Sequence, residues 1–273
     1  MVMKYHPYKL SDPDRISILP VVLKEISGIS RRDDSSIVCI EDDIEVIYIY
    51  DLNKDKILRK LPVGGKGDFE GVARVGMTVY ILRSDGLISE IENYESENYI
   101  KKSYATGVPW KDNEGLCYDK QNNRLLIGPK SIPGKKSSER GFRYIYGFNL
   151  FTKKLEKKPA FVFDMSAIKN FAEINNIRLQ GKDAWRNIKF RISALGIHPI
   201  TNSLYVVSSR DRLLYIFDRN GNIMHIENLD RKLFWQPEGI TFMENGDMII
   251  SNEGKKKKKK PPSLVRFNYN HSG

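Results

Sequence analysis

Five copies of one short pattern constrain the fold of this chain more than any other feature. Each copy places a glycine between a variable residue and an apolar stretch. The copies are Ser27-Gly28, Glu70-Gly71, Glu114-Gly115, Leu195-Gly196 and Glu238-Gly239. Their glycines lie 43, 44, 81 and 43 residues apart. A regular period of this length is typical of folds that repeat one supersecondary unit.

Each glycine is followed by further runs of β-branched and aromatic residues. Turn residues such as Asn122-Asn123, Asn220-Gly221 and Asn245-Gly246 separate these runs. Several short antiparallel strands within one such period match the blade of a β-propeller. The sequence therefore predicts an all-β fold in which residues 1–273 form a single β-propeller of five blades.

Two segments fall outside the repeat. Residues 15–21 begin with the strand-like run RISIL, and the last unit has only three strands of its own. We expect residues 15–21 to supply its outer strand and so close the ring. The long glycine spacing leaves residues 155–190 as an insertion between blades three and four. Within it, Met165–Ile177 has helical spacing and predicts a short helix, and a degenerate sixth blade is the alternative.

The composition narrows the class of protein. With 40% hydrophobic residues, the 273-residue chain can bury a substantial core. It has no run of 18 apolar residues, so we expect no transmembrane segment, and Met1–Leu10 shows no apolar signal-peptide core. Cys39 and Cys117 are expected as buried thiols, since no CxxC pair or Cys/His cluster accompanies them.

The net charge of +11 is dominated by one run. Lys255–Lys260 contributes six of these charges, and Pro261-Pro262 follows it directly. We interpret the run as a solvated hairpin loop, with contact to an anionic partner as the alternative. No nucleic-acid-binding motif is present, so no specific nucleic-acid partner is predicted.

Three carboxylates recur at one register of the repeat. Glu70, Glu114 and Glu238 each precede the glycine of a first strand, and first strands line the central channel of a propeller. Carboxylates that converge in a poorly solvated channel repel one another, and a hard cation such as Ca²⁺ would resolve the conflict. The alternative is that each glutamate braces a neighbouring blade. These three residues are the predicted metal ligands.

A second set of polar residues follows the second strands, whose ends open near the mouth of the channel. Their mixed charge suits a small polar or anionic ligand, and ordinary loop charges are the alternative. The predicted ligand-binding residues are Glu41, Arg83, Lys130, Ser208, Arg210, Asn252 and Glu253.

The first-strand motifs resemble those of the SdiA-regulated β-propeller family. They read KEISGI, GDFEGV, NEGL and PEGI around Gly28, Gly71, Gly115 and Gly239. First strands of the Glu-Gly type also occur in NHL-type and phytase-like esterase propellers. The resemblance implies a propeller in the cell envelope or outside the cell, and it implies no established enzymatic activity. The sequence departs from the pattern at Leu195, where an acidic residue is missing.

Two functions are compatible with these residues. No nucleophile–base pair, HExxH or GxSxG motif is present, so no catalytic residue is predicted. The first hypothesis is a non-catalytic, monomeric binding or sensing module that uses the channel mouth. The alternative is a Ca²⁺-dependent hydrolase of the lactonase or phosphoesterase type, in which the channel glutamates hold the metal.

Overall fold

The computed structural model describes residues 7–131, 138–177, 187–255 and 260–271. Within these ranges the strands form five antiparallel sheets, which are the blades of a β-propeller. Blade I contains β2 (Ile26–Arg31), β3 (Ser36–Glu41), β4 (Ile44–Asp51) and β5 (Lys56–Lys66). Blade II contains β6 (Phe69–Val75), β7 (Thr78–Arg83), β8 (Leu87–Glu92) and β9 (Ile100–Ala105).

The remaining blades vary the same plan. Blade III contains β10 (Asn113–Asp119), β11 (Arg124–Pro129), β12 (Phe142–Asn149), β13 (Lys154–Leu155) and β14 (Phe161–Asp164). Blade IV contains β15 (Ala194–Ile197), β16 (Leu204–Ser208), β17 (Leu213–Phe217) and β18 (Ile223–Asn228). Blade V contains β19 (Pro237–Phe242), β20 (Met248–Asn252), β21 (Ser263–Phe267) and β1 (Arg15–Ile18). The five-bladed all-β fold predicted from the repeat is confirmed.

The strand β1 closes the ring. It pairs antiparallel with β21, so the start of the chain completes the blade formed by its end. Tyr8 lies beside this closure and donates a hydrogen bond of 2.5 Å to the carbonyl of Gly246. The ring of His198 accepts backbone N–H groups at Nδ1, so its Nε2–H faces the hydroxyl of Tyr8 at 2.7 Å.

The hydrophobic core lies between neighbouring blades. All residues of β16 and β17 are buried, because both faces of these middle strands pack against another blade. The outer strand β9 is mostly exposed and carries two lysines. Strands rich in Val, Ile, Tyr and Phe therefore occupy the middle of each blade, and polar strands form the rim.

The repeated glycines determine how closely the blades approach. A Cβ atom on Gly28, Gly71, Gly115, Gly196 or Gly239 would lie 2.6–3.0 Å from an atom of the next blade's first strand. Real Cβ contacts essentially never fall below 3.0 Å. A glycine at this position therefore lets each blade pack directly against the next.

The insertion after blade III contains the helix α1 (Met165–Ile174). Asp164 caps its first turn by accepting a hydrogen bond from the backbone N–H of Ser166. The helix ends three residues before the predicted end at Ile177, because Asn176 adopts a left-handed conformation with φ of 51°. Residues 178–186 of the predicted insertion lie outside the described residues.

Short turns and the lysine run complete the described structure. The 3₁₀ turns are Val21–Leu23, Lys120–Asn122 and Ser138–Gly141. Lys255 and Lys260 pair as an isolated bridge, as a hairpin requires, while residues 256–259 of the predicted loop lie outside the described residues. Among the helices described, none combines the length and apolar character needed to cross a bilayer.

Candidate functional site at the channel mouth

A β-bulge turns one residue of each of four first strands toward the channel. The strand pairing shifts between Ile26 and Gly28 in blade I, and at the equivalent place in blades II, III and V. The bulged residues are Ser27, Glu70, Glu114 and Glu238. A bulge leaves its extra residue out of the ladder and re-aims its side chain. All four residues line one narrow cavity on the axis, of about 10 Å³.

Blade IV lacks this bulge. Leu195 pairs in regular register with Val206, and its side chain is buried beside Gly115. The missing carboxylate of the repeat is therefore accompanied by a missing bulge. The ring of carboxylates is open on the side of blade IV, where Ser193 lines the cavity instead.

A lysine lies among the three glutamates. The ammonium group of Lys130, directly after β11, donates a hydrogen bond to Oε1 of Glu114. Glu114 is only 4% exposed, and its second oxygen Oε2 is buried without a partner. Lys130 also attracts Glu238 and Glu70 electrostatically. A cation was expected at this place from the sequence, and Lys130 supplies one positive charge from the chain itself.

One ammonium group does not balance three carboxylates. Burial, together with the charges of Glu238 and Glu70, raises the pKa of Glu114 to about 9. Burial and the nearby Asp68 raise the pKa of Glu70 to about 8, and burial also raises the pKa of Glu238. Burial lowers the pKa of Lys130, but Glu114 and Glu238 outweigh it and the net shift is upward. The cluster therefore retains protons near neutral pH.

The raised pKa of Glu114 predicts a stability that falls as the pH rises. An unfolded glutamate releases its proton near pH 4, so between about pH 5 and pH 9 the folded chain binds more protons than the unfolded chain. For each retained proton, the free energy of unfolding then falls by up to about 1.4 kcal/mol for every unit by which the pH rises. We expect Glu114→Gln to flatten this decline in urea unfolding at several pH values.

The matched control is Glu92→Gln, which removes a carboxylate at the end of β8 that pairs with Lys102. This variant should keep the wild-type slope. An equal slope in the wild type and in Glu114→Gln would show that Glu114 does not hold the proton.

A basic pocket opens above the glutamates. Its volume is about 350 Å³, which is within the range of small-molecule sites. It is lined by Lys130, Arg191, Ser209, Arg210, Arg212, Trp235, Gln236, Glu238 and Lys255. The pocket shares Glu238 with the narrow cavity below it, so the two are neighbours.

Three arginines give this pocket its charge. Within the described ranges, Arg191, Arg210 and Arg212 form no salt bridge with a carboxylate of the chain. The Nε atom of Arg191 is buried without a hydrogen-bond partner, and Arg212 donates a hydrogen bond to the carbonyl of Phe234. Guanidinium groups that face one cavity and form no salt bridge suit an anion, although the carboxylate of Glu238 also lines this pocket.

The opposite wall of the pocket is fixed by Trp235 and Gln236. The Nε1–H of Trp235 donates a 2.8 Å hydrogen bond to the carbonyl of Glu253, and Gln236 donates to the carboxylate of Glu253. The ammonium group of Lys260 lies 5.0 Å from the centre of the Trp235 ring. The base of the lysine hairpin thus borders the pocket.

An acidic group lies on the blade I side of the same end of the propeller. Within the described residues, Glu25, Glu41, Asp42 and Asp43 each offer an oxygen, and these atoms lie within 4.8 Å of one another. Burial and the neighbouring Glu25 raise the pKa of Asp42 to about 6. Oxygen ligands at this spacing are compatible with one divalent cation. The predicted ligands Glu70, Glu114 and Glu238 stay a prediction.

The structure separates the seven predicted ligand-binding residues. Lys130 and Arg210 line the basic pocket, Glu253 stands behind its wall, and Glu41 belongs to the acidic group. Arg83 instead forms a two-point ion pair with Asp85 at 2.9 and 2.7 Å.

Two further predicted residues are fully buried and serve local structure. Ser208 accepts a hydrogen bond from the backbone of Asp211. Asn252 donates hydrogen bonds to the carbonyl of Leu233 and to Ser263.

Sequence reasoning missed most of the pocket wall. Arg191, Trp235 and Gln236 precede first strands, and only residues after second strands had been considered. The start of a first strand and the end of a second strand lie side by side in an antiparallel pair, as Pro237 and Asn252 do. The residues just before each glycine motif therefore carried a usable signal.

Fold and site together define a five-bladed β-propeller with a carboxylate-lined channel and a basic mouth. The model of the family described as SdiA-regulated matches residues 141–256, a range that contains β12 to β20. This match confirms the predicted resemblance over residues 141–256, which include the motif around Gly239; the motifs around Gly28, Gly71 and Gly115 lie outside it. A comparison with curated proteins finds no match.

Solved structures with the same fold have diverse names. Glutaminyl cyclase from Myxococcus xanthus is 12% identical with a TM-score of 0.60, covering 95% of this chain and 96% of that chain. A chain of the nidogen/laminin complex is 12% identical with a TM-score of 0.55, covering 91% of this chain and 86% of that chain. The luciferin-regenerating enzyme is 8% identical with a TM-score of 0.52, covering 94% of this chain and 95% of that chain. Such low identities show the fold alone.

Proposed function

We propose that this β-propeller binds a small anionic ligand in the basic pocket at its channel mouth. The observation that carries the proposal is the set of three arginines, Arg191, Arg210 and Arg212, which line one cavity of about 350 Å³ without a carboxylate partner in the described chain. Like charges held together are unfavourable until a counter-charge joins them. An anion in this pocket supplies that counter-charge and gains charge-assisted hydrogen bonds.

The proposal describes a binding or sensing module. Lys130 is engaged by Glu114, and the polar wall of Trp235 and Gln236 is fixed through Glu253, which suits recognition by a preformed site. The location in the cell envelope or outside the cell is part of the same proposal. It rests on the family resemblance, and cell fractionation tests it.

The test is isothermal titration of the whole chain with inorganic phosphate and with succinate. We expect binding that weakens as NaCl is added, because salt screens charges at an open pocket. Arg210 is exposed, so Arg210→Ala should fold normally. We expect this variant to weaken binding about tenfold, which corresponds to about 1.4 kcal/mol.

Arg83→Ala is the matched control, since Arg83 is an arginine outside the pocket that pairs with Asp85. It should bind like the wild type. The proposal fails if neither anion binds, or if Arg210→Ala and Arg83→Ala behave alike.

The metal-dependent hydrolase is the second candidate, and the acidic group around Asp42 is the observation that favours testing it. Elemental analysis and thermal melting in EDTA or Ca²⁺ decide whether a cation is held. A melting temperature that rises with Ca²⁺ in the wild type but not in Asp42→Asn would place the cation there. An effect lost in Glu70→Gln would place it in the channel instead.

A further inference from the structure

We propose that the ligand is a zwitterion of the α-amino acid class, whose acid group contacts the arginines and whose primary ammonium group points down to the glutamates. This inference rests on the proposed function, because it specifies the ligand of the same pocket. It follows from two features that a simple anion does not explain, namely the glutamate side chains at the floor of the pocket and the small cavity that lies between them.

The floor of the pocket is acidic although its wall is basic. Glu238 lines both the basic pocket and the cavity beneath, and Glu70 and Glu114 line that cavity with it. Lys130 satisfies one oxygen of Glu114, while the buried Oε2 of the same carboxylate has no hydrogen-bond partner. A purely anionic ligand leaves this carboxyl oxygen without a donor, whereas a primary ammonium group would donate a hydrogen bond to it.

The basic and the acidic side chains of this site come from different blades. Arg191 precedes β15, and Arg210 and Arg212 lie between β16 and β17, so all three belong to blade IV. The glutamates come from blades II, III and V. Blade IV is the blade that contributes Leu195 in place of a carboxylate, so the arginines stand where the acidic ring is open. A ligand between them needs an acid group on one side and a cation on the other.

The cavity between the glutamates limits the cation to a small group. Its volume of about 10 Å³ is enough for one water-sized group. A primary ammonium is about as large as a water molecule and has three donors. A quaternary ammonium is larger and has none. The carbon skeleton then stays in the wider pocket beside Ser209 and Gln236.

The test uses four pairs of ligands that differ only in the amino group. They are glycine and acetate, L-alanine and propionate, L-aspartate and succinate, and L-glutamate and glutarate. We expect calorimetric titration to show at least tenfold tighter binding of the amino member in at least one pair. Trimethylglycine should lose the advantage of glycine where glycine binds.

Two variants test whether the preference for the amino member of each pair depends on the channel glutamates. Glu238→Gln keeps the size of the side chain but removes its charge, so it should reduce the preference for the amino member at least fivefold while succinate still binds. Glu92→Gln, which changes a carboxylate on the outer part of blade II, should leave the preference unchanged.

The outcomes separate the two proposals. If both members of every pair bind equally, or if only the acids and phosphate bind, the zwitterion is overturned and the anion site stands. If no amino acid, acid or phosphate binds, both proposals are overturned. A preference that survives in Glu238→Gln also overturns the assignment of the ammonium to the glutamate floor.

Discussion

At pH 9, Lys130→Met is expected to lower the free energy of unfolding by about 3–5 kcal/mol. The variant removes the ammonium group bonded to Glu114 and leaves a 96%-buried carboxylate next to two others. Breaking one partner of a buried ion pair is costly because the remaining charge is no longer compensated. The loss should be smaller at pH 5 than at pH 9, since the glutamates can take up protons when the pH is low. Urea unfolding at both pH values measures it.

Two further variants make this result specific. Lys130→Met combined with Glu114→Gln should recover a large part of the loss, because the uncompensated charge is gone. Lys102→Met removes an exposed lysine that pairs with Glu92, and such pairs contribute about 0–1 kcal/mol. If Lys130→Met costs no more than Lys102→Met, the ammonium group does not balance the channel carboxylates.

The fold was predictable because each repeat unit is marked by short, local sequence patterns. Glycine at a fixed period, turn residues and β-branched runs each report on a few neighbouring residues, and together they specify blades. The N-terminal strand was predictable by elimination, since the last unit has one strand too few. The end of α1 was not, because it depends on the left-handed conformation of Asn176, which apolar spacing does not report.

The candidate site was predictable only in part. Glu70, Glu114 and Glu238 share a register, so their convergence followed from the repeat. The placement of Lys130 against Glu114 depends on the length of the strand pair β10–β11, which carries a bulge between Asn113 and Gly115. The bulge shifts which residues face each other, and a period counted from glycines contains no such information.

The basic pocket was harder to predict from the sequence than the channel glutamates. Arg191 follows the insertion, and its neighbours in the pocket come from the turn after β16 and from the segment before β19. Nothing in the spacing of these residues distinguishes an arginine that faces the pocket from one paired with a nearby carboxylate, as Arg83 is with Asp85. The absence of an internal partner is a property of the folded chain.

The closeness of the first strands connects the repeat to the site. A Cβ atom on Gly28 would lie 2.8 Å from the backbone nitrogen of Val72 and 3.1 Å from the Cα of Gly71. Both neighbours are backbone atoms of β6, so no side-chain rotation can relieve the contact. Glu70 immediately precedes Gly71, and any shift of β6 therefore moves a carboxylate of the channel.

Gly28→Ala is accordingly expected to destabilise the fold by about 3 kcal/mol, at the upper end of the usual cost of overpacking. Urea unfolding measures the loss. The control is Gly65→Ala in β5, where a Cβ atom would meet nothing within 4 Å. This control should change stability by no more than about 0.5 kcal/mol. If Gly28→Ala is tolerated as well as Gly65→Ala, close packing of the blades is not what the repeated glycine provides, and the position of Glu70 does not depend on it.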